Sequence, residues 1–253
     1  MGVQKIKWGV GRFWNPSDFL NAEAKDLFKS SDERAGLNLV KMHLPLESSN
    51  FYLLANLEQA NQTQKIGYGA RFEVPFKNSE LSFSHYQRKG DAMHWAGDLS
   101  VGVGDFDFVI ETAWTPLEKT KYSVFGFSYD WKYNDKDTAN ISLEGTWNEA
   151  GATSKDQYIP IALSGKFKPF QVAQAYQMFS ILLLNPGSWT HSAIQFFSVR
   201  NQTDLSGYYR GSFIWSGLED LDFGVSLGHR EGTLGSEMVL GGIFSDFNLN
   251  VAL

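Results

Sequence analysis

Any chemistry in this chain has to come from groups other than thiols, because its 253 residues include no cysteine. That removes thiolate nucleophiles, thiolate metal sites and disulfides together. The five histidines are His43, His85, His94, His191 and His229. Asp222, Ser226 and His229 bring the residue types of a nucleophilic triad into one stretch, but His229 lies an odd number of residues from both others. On a strand it points to the opposite face, so the spacing implies no triad. His85 and His94 flank an expected hairpin turn, and two histidines without a third ligand make a poor metal site. Asn134, Asp135, Asp137 and Asn140 share part of a calcium-loop pattern but lack its glycine at position six and its final glutamate. Gly9-Val10-Gly11 lacks the third glycine of a dinucleotide fingerprint and falls where a strand is expected. No catalytic residue, metal or cofactor is assigned.

The elements that would position such groups alternate with period two. Ile66, Tyr68, Ala70, Phe72 and Val74 share one face of a strand, and Lys65, Gly67, Gly69, Arg71 and Glu73 share the other. The same split into an oily and a polar face recurs around residues 105–114, 124–131, 138–147, 205–215, 221–228 and 246–253. Turn signals such as Gly104-Asp105, Tyr133 to Lys136, Asn201 to Asp204 and Ser216 to Glu219 separate these segments as hairpin connections would. The expected strands are 4–13, 34–46, 50–58, 65–75, 80–88, 92–103, 105–115, 120–132, 137–148, 156–167, 171–184, 190–201, 204–216, 220–230 and 239–253. Of these, 34–46, 171–184 and 190–201 alternate poorly. The stretch 17–30, with Leu20, Ala24, Leu27 and Phe28 at helical spacing and Ser17 as a cap, reads as a short helix in the loop after the first strand. No linker divides the chain, so 1–253 is expected to form a single domain.

Composition narrows the class. With 22 basic and 28 acidic side chains the formal net charge is -6, and no basic patch offers the counter-charge that nucleic acid requires. Twenty Phe, ten Tyr and eight Trp make aromatics 15% of the chain while the mean hydropathy is -0.27. The longest apolar run is Ile181 to Leu184, far below the roughly 18 residues of a membrane-spanning helix. The opening residues, MGVQKIKWGV, contain no apolar signal-peptide core.

Several expected strands suit the 9–11 residues that a tilted membrane strand needs. The polar face carries Gly, Ser, Asn, Thr and isolated charges of both signs, as a hydrated lumen would. The fold expected is therefore all-β: a transmembrane antiparallel up-and-down β-barrel of about 14–16 strands. Its polar face would present Arg71, Glu73, Asp107, Glu111, Asp130, Glu144, Lys166, Arg210, Asp222 and Arg230 to the lumen. There they would either shape the field felt by a permeating solute or pair across neighbouring strands. Trp8, Trp95, Trp114, Tyr129, Trp131, Trp147 and Trp215 lie near segment ends, where aromatic girdles meet the membrane interfaces.

Residues 8–21, WGVGRFWNPSDFLN, followed by Arg34-Ala35-Gly36, resemble the region of porin-like bacterial outer-membrane barrels where a strand ending in WG-x-G runs into an Asn-Pro loop. The late loop Gly232 to Glu237 and the alternating last strand are similar to such families too, although Leu253 stands where a terminal aromatic is usual. The resemblance implies an N-terminally shortened barrel in the bacterial outer membrane and no enzymatic activity. Its partners would be outer-membrane lipid and lipopolysaccharide, and the insertion machinery that reads the C-terminal strand. It also allows a homo-oligomer. The expected function is a porin-like channel for passive diffusion of small hydrophilic solutes, with the 14–33 loop folding inward as a constriction. The alternatives are a non-transporting structural or adhesive outer-membrane barrel, and a soluble β-sandwich or ligand-binding barrel.

Overall fold

The computed structural model describes residues 2–21, 36–58, 65–165, 167–218, 221–240 and 246–252. The chain forms two compact units, 1–126 and 127–253. In the first lie β1 (Gly2–Gln4), β2 (Leu37–Leu46), β3 (Ser49–Asn56), β4 (Gly67–Phe76), β5 (Ser79–Gln87), β6 (His94–Val103) and β7 (Phe106–Thr115). Strand β8 (Thr120–Lys132) crosses the division. The second holds β9 (Thr138–Asn148), α1 (Tyr158–Leu163), β10 (Ala175–Leu184), β11 (Ser192–Asn201), β12 (Gly207–Leu218), β13 (Leu221–Glu231), α2 (Glu237–Leu240) and β14 (Asp246–Ala252).

From β1 to β7 each strand pairs antiparallel with the next. The same holds from β9 to β14. This is the all-β up-and-down order that the alternation predicts. In the first unit, connections after even-numbered strands are tight turns at Glu47-Ser48, Lys77-Asn78 and Gly104-Asp105, whereas those after β1, β3 and β5 span 5–36, 57–66 and 88–93, and that after β7 is the short 116–119. In the second unit the connections after β9 and β13, 149–174 and 232–245, are likewise the long ones.

Two expected strands are corrected. Of 4–13 only Gln4 lies in a strand, as the last residue of the three-residue β1. Beyond it Gly9 takes φ 89° and the chain leaves the sheet. The 156–167 segment is a turn of 3-10 helix followed by α1, with Tyr158 buried and Pro160 in the first turn. Proline there gives up no helical hydrogen bond, but it cannot donate to a sheet ladder. The turn expected at Ser216 to Glu219 comes later, because β12 runs to Leu218 with a register shift between Trp215 and Leu218. The start of 239–253 is taken up by α2, and the strand begins at Asp246. Of the helix expected at 17–30, residues 17–21 form turns and the remainder lies outside the described residues.

Candidate functional site on the polar faces

Burial is inverted relative to a water-soluble β-domain. On the apolar face Phe83 (55% exposed), Phe125 (55%) and Leu143 (51%) face outward, while Arg71 (5%), Asp98 (2%), Glu111 (0%) and Glu144 (2%) are buried on the polar face. Exposed scattered apolar residues mean little, but charges buried on one face of strands whose other face shows rows of large apolar side chains do carry information. In the first unit a row of groups crosses β4, β5 and β6. Arg71 donates from Nη1 to Asp98 Oδ2 at 2.7 Å, from Nη2 to Asp98 Oδ1 at 3.1 Å and to Ser82 Oγ at 2.9 Å, and from Nε to Glu73 Oε1 at 2.8 Å. The planar guanidinium fork makes such two-pronged recognition of a carboxylate possible. Asp98, Ser82 and Ser84 were not singled out from the sequence, although the alternation Ala96, Asp98, Ser100 places Asp98 on the polar face.

Glu111, in register with Asp98 across β6 and β7, is engaged differently. Its carboxylate accepts hydrogen bonds from the backbone of Val10 (2.8 Å), Gly11 (2.9 Å) and Ser17 (2.7 Å) and from Ser17 Oγ (2.8 Å). Residues 8–20 are thereby held on the polar face of their own unit. Trp8 lies buried with Leu20, Leu54 and Tyr86, and its indole reaches to 2.8 Å from where a Gly69 Cβ would stand, so residue 69 has no room for a side chain. Trp8 is accordingly not an interface aromatic. Of the other expected ones, Trp95, Trp114, Trp131 and Trp147 are exposed on the apolar face, while Tyr129 and Trp215 are half-buried.

The remaining candidates are dispersed. Arg210 donates to Ser226 Oγ at 2.9 Å, and the Arg230 guanidinium lies 5.9 Å from the Tyr208 ring centre. Asp130 is exposed and accepts from Asn140 Nδ2; Asp107 is exposed near the Gly104-Asp105 turn. Asp222 stands on β13 opposite Ala252, and Lys166 lies outside the described residues. The calcium-like residues build a turn: Asn134 Oδ1 accepts from Lys136 and Asp137 N–H, and Asp137 accepts from Asn185 and Asn134. His85 Nδ1 donates to the His94 carbonyl at 3.0 Å. Ser226 is buried on the polar face while His229 is exposed on the other.

In the second unit a carboxylate missed by sequence reasoning gathers three connections. Glu237, at the start of α2 and 5% exposed, accepts from Phe170 N–H (2.6 Å), Tyr176 Oη (2.8 Å) and Asn201 Nδ2 (2.8 Å). Its own N–H donates to Asp204 Oδ2 at 2.7 Å. Burial pushes the Glu237 carboxyl up to about 7 against those donors. Tyr158 from α1 accepts from Asn201 Nδ2 at 2.9 Å, and burial pushes its phenol up. Met178, Phe197 and Val199 are buried on the polar face of β10 and β11, and Val172, Ala173 and Tyr158 are buried in the 149–174 connection. This is why 171–184 and 190–201 alternate poorly: both of their faces are apolar, one of them turned toward protein.

No protein-family model matches the chain, and no curated sequence matches it. Among solved structures it is similar to the crystal structure of a BenF-like porin from Pseudomonas fluorescens Pf-5, with a TM-score of 0.52 and 11% identity over 86% of this chain and 67% of that one. The likeness is one of fold: all-β, with antiparallel strands in up-and-down order. No helix among the described residues is long and apolar enough to cross a membrane, which says nothing about crossing by strands.

Proposed function

We propose that the protein is an outer-membrane channel through which small hydrophilic solutes diffuse passively along the polar faces of its strands. The observation that carries this reading is the inverted burial, with Arg71, Asp98, Glu111 and Glu144 inside and rows of Phe, Leu, Ile and Trp outside. In water that arrangement exposes the apolar rows without gain; against lipid it is the favourable one. In the first unit the two-residue turns after β2, β4 and β6 fit the short periplasmic turns of such a barrel. Trp95, Trp114, Trp131 and Trp147 would serve as interface aromatics. The C-terminal strand would address the insertion machinery, with lipid and lipopolysaccharide as surroundings.

The lipid-facing half of this reading is tested at two depths. Leu143→Arg, at the centre of β9, is expected to weaken folding into lipid vesicles by about 2–4 kcal/mol, and Trp147→Arg, near the strand end, by about 1 kcal/mol or less. Equal effects at the two sites would argue against a bilayer around β9.

The channel half is tested by single-channel conductance of the purified protein in a planar bilayer, beside Arg210→Ala. Stepwise conductance is expected, with the variant shifted toward cation permeation because one positive charge leaves the polar face. A second reading is favoured by the segments that cover these faces, residues 8–20 in one unit and the 149–174 and 232–240 segments in the other: a plugged barrel with a structural role. Stable insertion without conductance in either protein would select it.

A further inference from the structure

The WG-x-G element has a role that its place in the sequence did not announce: it wraps a carboxylate. Val10, Gly11 and Ser17 donate four hydrogen bonds to Glu111, two to each oxygen. The segment closes on itself, with Asn15 Nδ2 and Lys7 Nζ both donating to the Gly11 carbonyl. A side chain at Gly9 would place its Cβ 2.5 Å from both Glu111 oxygens at a φ of 89°, so glycine alone fits. The turn is built around the glutamate, and these four bonds attach residues 10–17 to β7.

Glu111 stands beside other charges. Asp98 is directly opposite it and, with Glu73, shares the guanidinium of Arg71. While residues 10–17 are docked, backbone N–H groups and a hydroxyl cap the Glu111 charge. Once they leave, this stretch of wall carries four carboxylates, Glu73, Glu80, Asp98 and Glu111, beside Arg71.

We propose that Glu111 is the positioning residue of a displaceable constriction: it holds residues 8–17 over the polar face, and release of that segment both widens the path and makes it prefer cations. The proposal rests on the channel reading for its second half only. Docking is a property of the chain in any folding environment, whereas the change in selectivity needs a conducting pore.

The experiment compares wild type, Gly9→Val, Glu111→Gln and the double variant. Gly9→Val forces the segment off while keeping the Glu111 charge. Glu111→Gln sets an amide N–H₂ against donors that had an acceptor, and it removes the charge. Hydrogen exchange in micelles is expected to show the Val10, Gly11 and Ser17 amides at least tenfold faster in all three variants, with exchange in β4, β5 and β6 unchanged as the control for folding. Unchanged exchange of those amides in Glu111→Gln overturns the latch, whatever the conductance. In planar bilayers Gly9→Val is expected to conduct more than wild type and to raise the cation-to-anion permeability ratio severalfold, while the double variant conducts more without that rise. Equal ratios in Gly9→Val and the double variant overturn the role of the exposed carboxylate. Faster exchange with no conductance from any of the four proteins sinks the channel reading and with it the selectivity half, and leaves Glu111 standing as the residue that positions the segment.

Discussion

Arg71→Ala is expected to destabilise the folded chain by about 3–5 kcal/mol, because it leaves Asp98 and Glu73 buried beside one another without their shared cation. Asp98 has no accessible side-chain surface and Glu73 keeps only 19% of its own, so water reaches neither well enough to replace the guanidinium. Two controls separate charge from shape. Arg71→Lys keeps the charge but loses the two-pronged geometry and the bond to Ser82, and is expected to cost about 1–3 kcal/mol. Arg71→Met combined with Asp98→Leu removes both ends of the closest pair and is expected to recover part of the loss, since the main penalty in the single variant is the stranded carboxylate. Urea unfolding in micelles reads all three. A loss below about 1 kcal/mol for Arg71→Ala would mean that the row across β4, β5 and β6 is open to water and contributes little, as exposed ion pairs do.

That row also shows how much of the site was legible. Period two assigns a face to each strand residue, and it placed Arg71, Glu73, Glu111 and Glu144 on the buried polar face without knowledge of any neighbour. It placed the strand ends of β8 as they stand. It could not say which charges meet, because pairing depends on register, and register is set by turns such as Lys77-Asn78, where a non-glycine residue takes φ 52°. It failed where the chain leaves the sheet. The alternation of residues 4–13 is genuine as a pattern, but the N–H groups of Val10 and Gly11 turn to Glu111, about a hundred positions away in the chain, and no local rule contains that partner. The 156–167 segment misled in the same way: its alternating Ile159, Ile161 and Leu163 are exposed or half-buried on α1, and the residue that anchors it is Tyr158. Glu237 fell inside the quoted late loop, yet a glutamate in a loop gives no sign that three connections will converge on it.

Glu237 gives the second large effect, a dependence of stability on pH. The carboxyl lies at about 7 in the folded chain against an ordinary value of 4.5, with burial as the cause that raises it. Folded protein therefore binds this proton more tightly than unfolded protein, and linkage sets the sign: as pH rises from about 4.5 toward 7, the unfolded chain ionises while the folded one does not, and stability falls. The difference corresponds to about 3 kcal/mol, lost across that window and constant above it. The groups facing Glu237 are Tyr158 from α1, Tyr176 from β10 and Asp204 from the β11–β12 connection. The tyrosines stay protonated throughout, and Asp204 raises the glutamate further by repulsion. Thermal or urea unfolding from pH 4 to 8 is expected to show this decline in wild type and a curve flatter by about that amount in Glu237→Gln, which cannot ionise. Tyr176→Phe removes a donor that favours the carboxylate and is expected to extend the decline above pH 7, with an added cost of about 1–3 kcal/mol at pH 8 for the lost bond. Parallel curves for wild type and Glu237→Gln would show that the three donors from Phe170, Tyr176 and Asn201 outweigh burial and hold the carboxylate ionised. In that case the 149–174 and 232–240 segments are fastened by charge-assisted hydrogen bonds at every pH in the range, and neither segment responds to protons.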